Sequence, residues 1–466
     1  MFLSGLAAMV ALVIAMISTL PKTCDPHTEW YQGSVMYEIF PASFFDSNKD
    51  MLGDFKGMSL KADHMKSLGV RAVRLNSIFA TQHYPEDYKN VSTLIKIAPQ
   101  LGSLNDFTIL TKILHKRNIS LLLDLPVFPV LKQLVPNKVS DISNNTKLEP
   151  SVEFLKTSPE MDLVEEALIY WKNNGVDGFY LKGLEYFVDD PNLAQSLRRW
   201  KKIVGSECPV IISEMVINTV PRGILNTVLD NVDLIDVRLE IEKGVSAVSK
   251  QIESIQNGTL FSRPGLPWIQ WSLGDESSNR LANILPHSNA TLGATLLQLM
   301  LPGTPSIFYG NEIGLQQNSN PEFDRNLRQL VHMSWPNESR NVLYWMPSEE
   351  TSMNLAQVHL IKEMANLRSR SPAIYINSVY KQGDNKVNAE VKYSRRDLLV
   401  IQRWYPRRKS YVVVSNLGNS TVTADLSTLL YSGVIVIGPR PDSKSESISF
   451  KDISLWPGES VVIQLD

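Results

Sequence analysis

The sequence predicts an α/β chain: a closed (β/α)8 barrel followed by an antiparallel β-sandwich domain, with a transmembrane helix at the N-terminus. Three observations carry this. Eight short β-rich runs alternate with amphipathic helical stretches between Val35 and Tyr309. Strands that alternate with helices pair in parallel through crossovers. About eight such units over this length close into a barrel rather than an open sheet, the alternative reading. From Ser378 the helical period gives way to alternating strands, the mark of an antiparallel domain. Met1–Leu20 carries no charged side chain.

At 466 residues the chain exceeds what one hydrophobic core usually holds. Met1–Leu20 has about the length needed to cross a bilayer as a helix. A signal peptide cut near Ser18 or Thr19 is the alternative. No Lys or Arg precedes the stretch and Lys22 follows it, so charge does not choose. Either reading sends the rest of the chain into an oxidising, extracellular compartment. We divide the chain into a span (1–21), a neck (22–34), a barrel (35–377) and a β domain (378–466).

Within the barrel the expected strands are Val35–Phe40, Val70–Leu75, Ile119–Leu123, Val176–Leu181, Pro209–Ser213, Val232–Val237, Leu266–Trp271 and Ser306–Tyr309. Helical periodicity marks Leu60–Leu68, Leu104–Lys116, Leu163–Asn173, Leu193–Val204 and Val245–Gln256. Pro126–Glu160 lacks a clear period and reads as a long loop after the third strand. The β domain should contain Val387–Tyr393, Leu398–Trp404, Tyr411–Asn416, Val434–Ile437 and Val461–Leu465.

Composition is that of an ordinary globular protein, 43% hydrophobic and 20% charged. A net charge of −2 gives no support for nucleic-acid binding. Two cysteines, Cys24 and Cys208, exclude a disulfide framework but allow one bridge, within the chain or to a partner. Glycosylation sequons at Asn90, Asn118, Asn144, Asn257, Asn289, Asn337 and Asn419 fit a secreted or surface glycoprotein. Asp46, Asn48, Asp50 and Asp54 alternate with other residues. Hard oxygen donors so close in sequence suit Ca²⁺, which accepts about six to eight oxygens. A polar turn without an ion is the other reading of the same residues.

Two stretches add a resemblance. VMYEIFPASFFDSNKDMLGDFKG (Val35–Gly57) resembles the first-strand signature of the α-amylase family, in its oligo-1,6-glucosidase branch. LLQLMLPGTPSIFYGNEIG (Leu296–Gly314) resembles that family's eighth-strand region. The resemblance runs from Trp30 to Asp466. It implies an α-amylase-type barrel and a structural Ca²⁺ held by Asp46, Asn48, Asp50, Asp54 and the carbonyl of Leu52.

Retaining glycosidases need two carboxylates about 5–5.5 Å apart, one nucleophile and one acid/base. The resemblance puts the nucleophilic Asp after strand four in G-F-R-x-D, where this chain reads Gly178-Phe179-Tyr180-Leu181-Lys182. Lys182 cannot form a glycosyl ester. The acid/base Glu after strand five is retained as Glu214. The G-N-H-D-x-x-R motif after strand seven reads Gly274-Asp275-Glu276-Ser277-Ser278-Asn279-Arg280, so the transition-state Asp is Ser277 and the sugar-binding His is Glu276. D-x-x-x-N-H after strand three reads Asp124-Leu125-Pro126-Val127-Phe128-Pro129. The expectation is a barrel without glycosidase activity in which Glu214 is vestigial. Lys182 and Glu214 end adjacent strands, and we expect them to form an ion pair. Asp275 and Glu276 are a possible substitute acid/base pair.

A barrel of this kind behind an apolar segment resembles the heavy chains of heteromeric amino-acid transporters. The resemblance implies a single-pass type II glycoprotein of the plasma membrane, linked by a disulfide from Cys24 to a multi-span light chain. The short Pro126–Glu160 segment resembles family members that lack a domain after strand three. Family members carry a cytoplasmic tail before the membrane helix, whereas Met1 here lies within the apolar run. Cys208 reads as a buried single thiol. No organic cofactor is expected. The alternative is a secreted or anchored pseudo-glycosidase that binds a sugar or a protein.

Overall fold

The computed structural model describes residues 5, 9–13, 15, 26–128, 159–320, 324, 326–335, 355–381, 384–440 and 447–466. Eight parallel strands close a barrel in chain order: β1 (Met36–Ile39), β2 (Ala72–Leu75), β3 (Ser120–Pro126), β4 (Gly178–Lys182), β5 (Val210–Ser213), β6 (Leu234–Arg238), β7 (Trp268–Ser272) and β8 (Thr304–Phe308). Met36, Tyr37 and Glu38 pair with Ser306, Ile307 and Phe308, so β1 meets β8 and the sheet is not open. All but the last strand begin one or two residues later than expected from the apolar pattern.

Side chains along each strand alternate between the barrel interior and the surrounding helices. Met36, Ala72, Leu122, Tyr180, Ile211 and Leu234 form one interior layer together with Tyr31 of the neck. Tyr37, Val73, Leu123, Phe179, Ile212 and Ile235 point the other way, into the main core under the helices. Two residues on from the apolar layer stand Glu38, Arg74, Asp124, Lys182, Ser213 and Asp236. The interior therefore turns from apolar to polar toward the C-terminal ends of the strands, the end where barrel folds build sites.

The helices Leu104–Lys116, Leu193–Val204 and Val245–Gln256 run as expected. Ser103 and Asp106 form a reciprocal capping box at the start of the first. The expected helix Leu60–Leu68 is instead two short helices, Phe55–Leu60 and Ala62–Ser67, joined at Lys61. Asp54 caps the first by accepting from the Gly57 amide at 2.6 Å. Most of the long segment after β3 lies outside the described residues. Of the N-terminal span, residues 5, 9–13 and 15 are described and helical, and the remainder, with Cys24, lies outside them. Among the described residues no helix is long and apolar enough to cross a membrane.

The helix Ala290–Met300 is buried along its whole length. A helix that is apolar all round must be enclosed, and this one lies between the barrel and the β domain. A Cβ at Gly293 would stand 2.5 Å from the Gly458 carbonyl, so glycine is what permits the close approach.

The β domain begins with a hairpin of β9 (Ser378–Lys381) and β10 (Asp384–Val387). Then come β11 (Ala389–Arg395), β12 (Leu398–Arg403), β13 (Tyr411–Asn416), β14 (Val422–Ala424), β15 (Ser432–Ile437), β16 (Ser447–Ser449), β17 (Ile453–Leu455) and β18 (Ser460–Leu465). Six of them form an antiparallel sheet in the order β11-β12-β13-β18-β15-β16, and β14 pairs with β17. Leu399, Ile401, Val413 and Val462 face the main core. Leu398, Val400, Val412, Val414 and Ile463 alternate with them and pack on Ile453 and Leu455 of β17.

Two buried arginines lock this junction. Arg368 donates to the carbonyls of Gly33, Leu299, Leu301 and Gly303. Arg403 donates to the carbonyls of Met300, Ile376 and Asn388 and to the Asn388 side chain. Together they satisfy the carbonyls left free where the buried helix ends. Burial lowers the pKa of both guanidinium groups, that of Arg368 to about 9.

Candidate functional site at the barrel mouth

The polar interior layer forms a charged network. Arg74 pairs with Glu38 and lies 3.2 Å from Asp124, all three nearly inaccessible to solvent. The Asn76 amide donates to Glu38 at 3.0 Å and to Asp124 at 2.7 Å. The Arg74 guanidinium also stacks 4.6 Å over the Tyr180 ring, the position where the G-F-R-x-D pattern has arginine. Lys182, at the end of β4, pairs with Glu276 from the loop after β7. One oxygen each of Glu38, Asp124 and Glu276 lie within 4.8 Å of one another.

The expected pair of Lys182 with Glu214 is not formed. The ammonium has Glu276 as its partner, because the loop after β7 carries that carboxylate across the mouth. The Glu276 backbone is fixed by the Tyr88 hydroxyl at 3.3 Å and by the Gln329 amide, both donating to its carbonyl. Glu214 opens a short helix, Glu214–Thr219, and accepts from the Asn218 amide at 3.4 Å. Burial raises its carboxyl pKa, with Glu240 and Asp236 adding to the shift.

Ser277 donates its amide and hydroxyl to Asp275, at 2.9 and 2.8 Å. Burial pushes the Asp275 carboxyl up, but Lys182, these two hydrogen bonds and Arg74 together hold it below the usual range. It is therefore ionised at neutral pH and unsuited to act as an acid. Arg280 is buried beneath the loop, donates to the carbonyls of Gln329 and Tyr309, and lies over the Phe308 and Tyr309 rings. It serves the loop rather than the mouth.

Glu38 behaves differently. Burial raises its carboxyl to about 7, against the opposing charge of Arg74. The native state therefore binds its proton more tightly than the unfolded chain. The stability this adds is full below about pH 4.5 and is lost as pH rises through about 7. Glu38→Gln should flatten this dependence. The wild-type-minus-variant difference in urea midpoint should fall between about pH 5 and about pH 8, and an unchanged difference would refute this assignment.

Glu38, Arg74 and Asn76 were not singled out from the sequence. The signal was present: charged residues at matching positions of two otherwise apolar barrel strands are rarely buried without a partner. Glu38 lay inside the first quoted motif.

The expected metal loop folds as successive side-chain turns. Asn48 N–H donates to Asp46 at 3.0 Å, Asp50 N–H to Asn48 at 2.9 Å, and Leu52 N–H to Asp50 at 2.9 Å. Asp46 also accepts from the Lys49 and Met51 amides. Asp54 accepts from Ser47 as well as from Gly57. Asn48, Asp50 and Asp54 line a cavity of about 220 Å³ with Gln100 and Asp106. The donor set suits a hard divalent cation in kind, although its three carboxylates do not converge as tightly as the mouth residues.

Cys208 is buried, and burial pushes its thiol pKa up to about 12, so it is a poor nucleophile. Asn90, Asn118, Asn257, Asn289 and Asn419 are exposed, while Asn144 and Asn337 lie outside the described residues.

Known proteins share this architecture. The family described as "Alpha amylase, catalytic domain" matches residues 38–132. The amino acid transporter heavy chain SLC3A1 of Rattus norvegicus is 22% identical over 98% of this chain and 81% of its own length. Maltase 1 of Drosophila virilis is also 22% identical, over 96% and 88% respectively. Oligo-1,6-glucosidase of Bacillus cereus is 23% identical over 62% of this chain and 66% of its own. Among solved structures, trehalulose synthase MutB from Pseudomonas mesoacidophila MX-45 superposes with a TM-score of 0.74 at 16% identity. The match covers 95% of this chain and 100% of that one, and it is a likeness of fold. The chain is thus a closed (β/α)8 barrel with antiparallel sheets, similar over residues 38–132 to the α-amylase catalytic domain. Transporter heavy chains and glucosidases resemble it to the same degree.

Proposed function

We propose that this chain is the ancillary heavy subunit of a heteromeric amino-acid transporter, built on a barrel that has lost glycosidase chemistry. The observation that carries the proposal is the pairing of Lys182 with the buried Glu276 at the mouth. An ammonium stands where a glycosyl nucleophile is required, with the Glu276 carboxylate as its counter-ion. Ser277 offers no carboxylate to an oxocarbenium ion. Glu214, without a nucleophile opposite, is a remnant. Loss of a nucleophile costs on the order of 10⁴–10⁶ in rate.

In this reading residues 1–21 anchor the chain as a type II protein of the plasma membrane, with the barrel extracellular and glycosylated at its sequons. Cys24 forms the disulfide to a multi-span light chain, which the heavy chain stabilises and brings to the surface. The likeness to SLC3A1 heavy chains over nearly the whole chain supports it. A second reading, a secreted or anchored pseudo-glycosidase that binds a sugar or protein, draws on the equal likeness to maltases.

Non-reducing electrophoresis of membranes from expressing cells separates the two. A heavier band that collapses on reduction, and is missing in Cys24→Ser, is the expected result. The same monomer band with and without reductant would leave only the second reading. Release of a chromogenic α-glucoside by the purified protein would refute the loss of chemistry.

We also propose that Asp46, Asn48, Asp50 and Asp54, with the Leu52 carbonyl, hold a structural Ca²⁺. Millimolar Ca²⁺ should then raise the melting temperature of chelator-treated protein, by linkage of binding to folding. Asp50→Ala should abolish the rise; equal melting with Ca²⁺ and with chelator would exclude the ion.

A further inference from the structure

A cavity of about 220 Å³ opens on the outer side of β6, between the helices Glu214–Thr219, Arg222–Leu229 and Val245–Gln256. It is separate from the Lys182–Glu276 pair. Leu225, Leu229, Val237, Ile255 and Leu260 give it apolar walls. Glu214 supplies an acidic group at its lining. At ~30 Å³ for each water-sized group, it has room for about seven.

The charge in this cavity is one-sided. Among the described residues the hydrogen bond to the Glu214 side chain is the Asn218 amide at 3.4 Å, and no cationic group pairs with it. Glu240 and Asp236 are the charged groups that act on it, both negative. The two cations nearest Glu240 in sequence are already engaged, Arg238 with Glu242 at 3.1 Å and Lys243 with Glu240 itself at 2.6 Å. A half-buried carboxylate beside apolar walls, without a counter-ion, is costly to keep ionised. A ligand that brings both a cation and an apolar group relieves both deficits.

We propose that this cavity binds a small organic cation, a primary ammonium carrying a compact branched alkyl group. The ammonium sits on Glu214, where its N–H groups donate to the carboxylate, and the alkyl group lies among Leu225, Leu229 and Ile255. A free carboxylate on the ligand would meet the negative charge of Glu214, Glu240 and Asp236, so zwitterionic amino acids are excluded. The inference does not depend on the transporter reading.

Ligand-observed NMR on the purified full chain in detergent tests this with isopentylamine as the probe. Isopentyl alcohol, isovalerate and leucine are the controls. Isopentylamine should bind at least about tenfold more tightly than the alcohol, and isovalerate and leucine more weakly than either. Glu214→Gln should bring the amine down to the level of the alcohol. Leu229→Trp, which fills the cavity, should remove binding of both. Equal binding of amine and alcohol to the wild type would overturn the proposal. So would undiminished amine binding in Glu214→Gln, whose unchanged shape keeps the test valid if the tryptophan variant does not fold.

Discussion

Replacing Lys182 by methionine is expected to destabilise the chain by about 3 kcal/mol, the low end of the range for stripping one partner from a buried ion pair. The reason is the asymmetry of the pair. The Glu276 side chain is 2% exposed and that of Lys182 30% exposed. Removing the ammonium leaves a nearly inaccessible carboxylate without its counter-ion, and Arg74 is already engaged with Glu38 and Asp124. The protein can respond by protonating Glu276, so the loss should shrink as pH falls. The double variant Lys182→Met with Glu276→Gln should recover most of the loss. Urea denaturation of the four members of the cycle checks it; a coupling energy near zero would mean that the pair is solvated and energetically idle.

Arg403→Met should cost more, about 3–5 kcal/mol. The methionine fills much of the volume but leaves the carbonyls of Met300 and Ile376 without donors in a dry junction, while that of Asn388 keeps only the Trp404 amide. Each buried acceptor so stranded costs about 1–3 kcal/mol, and part is recovered by local relaxation. Because these carbonyls belong to the helix end and the β-domain entry together, unfolding should lose its cooperativity. The β domain should become susceptible to limited proteolysis at a denaturant concentration at which the barrel still resists. A single transition shifted by less than 1 kcal/mol would contradict this, since ~1 kcal/mol is a typical effect for an ordinary substitution.

Both expectations depend on pairings between residues distant in the chain, and this marks what could be read from sequence. The barrel strands were legible because each carries a dense apolar run, and the flanking helices because Leu104–Lys116, Leu193–Val204 and Val245–Gln256 each present one apolar face. The fully buried helix Ala290–Met300 has no polar face and so no period to detect. Lys61 divides what looked like one helix, because Asp54 starts the first piece earlier than the apolar pattern suggests. The short strands β14, β16 and β17 have three residues each, too few to establish alternation.

The site was legible by identity but not by partnership. Lys182, Glu214, Glu276 and Ser277 were found from their places after strands four, five and seven. Adjacency of β4 and β5 suggested a Lys182–Glu214 pair, but strand order alone does not set the direction of a side chain on the following loop. Glu214 begins a helix that turns it toward Asn218 and the outer cavity, while the loop after β7, clamped through Gln329 and Tyr88, delivers Glu276.

The sequence by itself determined the order of strands and helices, the change to an antiparallel domain, and that Lys182, Glu214, Glu276 and Ser277 follow strands four, five and seven. Those depend on local periodicity and residue identity. Only the tertiary structure decided which residues of β1 and β8 pair to close the barrel, that Glu38, Arg74, Asn76 and Asp124 form one buried network, and that Lys182 is matched by Glu276. Such contacts join residues tens to hundreds of positions apart. Their free energy comes from excluding water around charges, which exists only once the chain has packed.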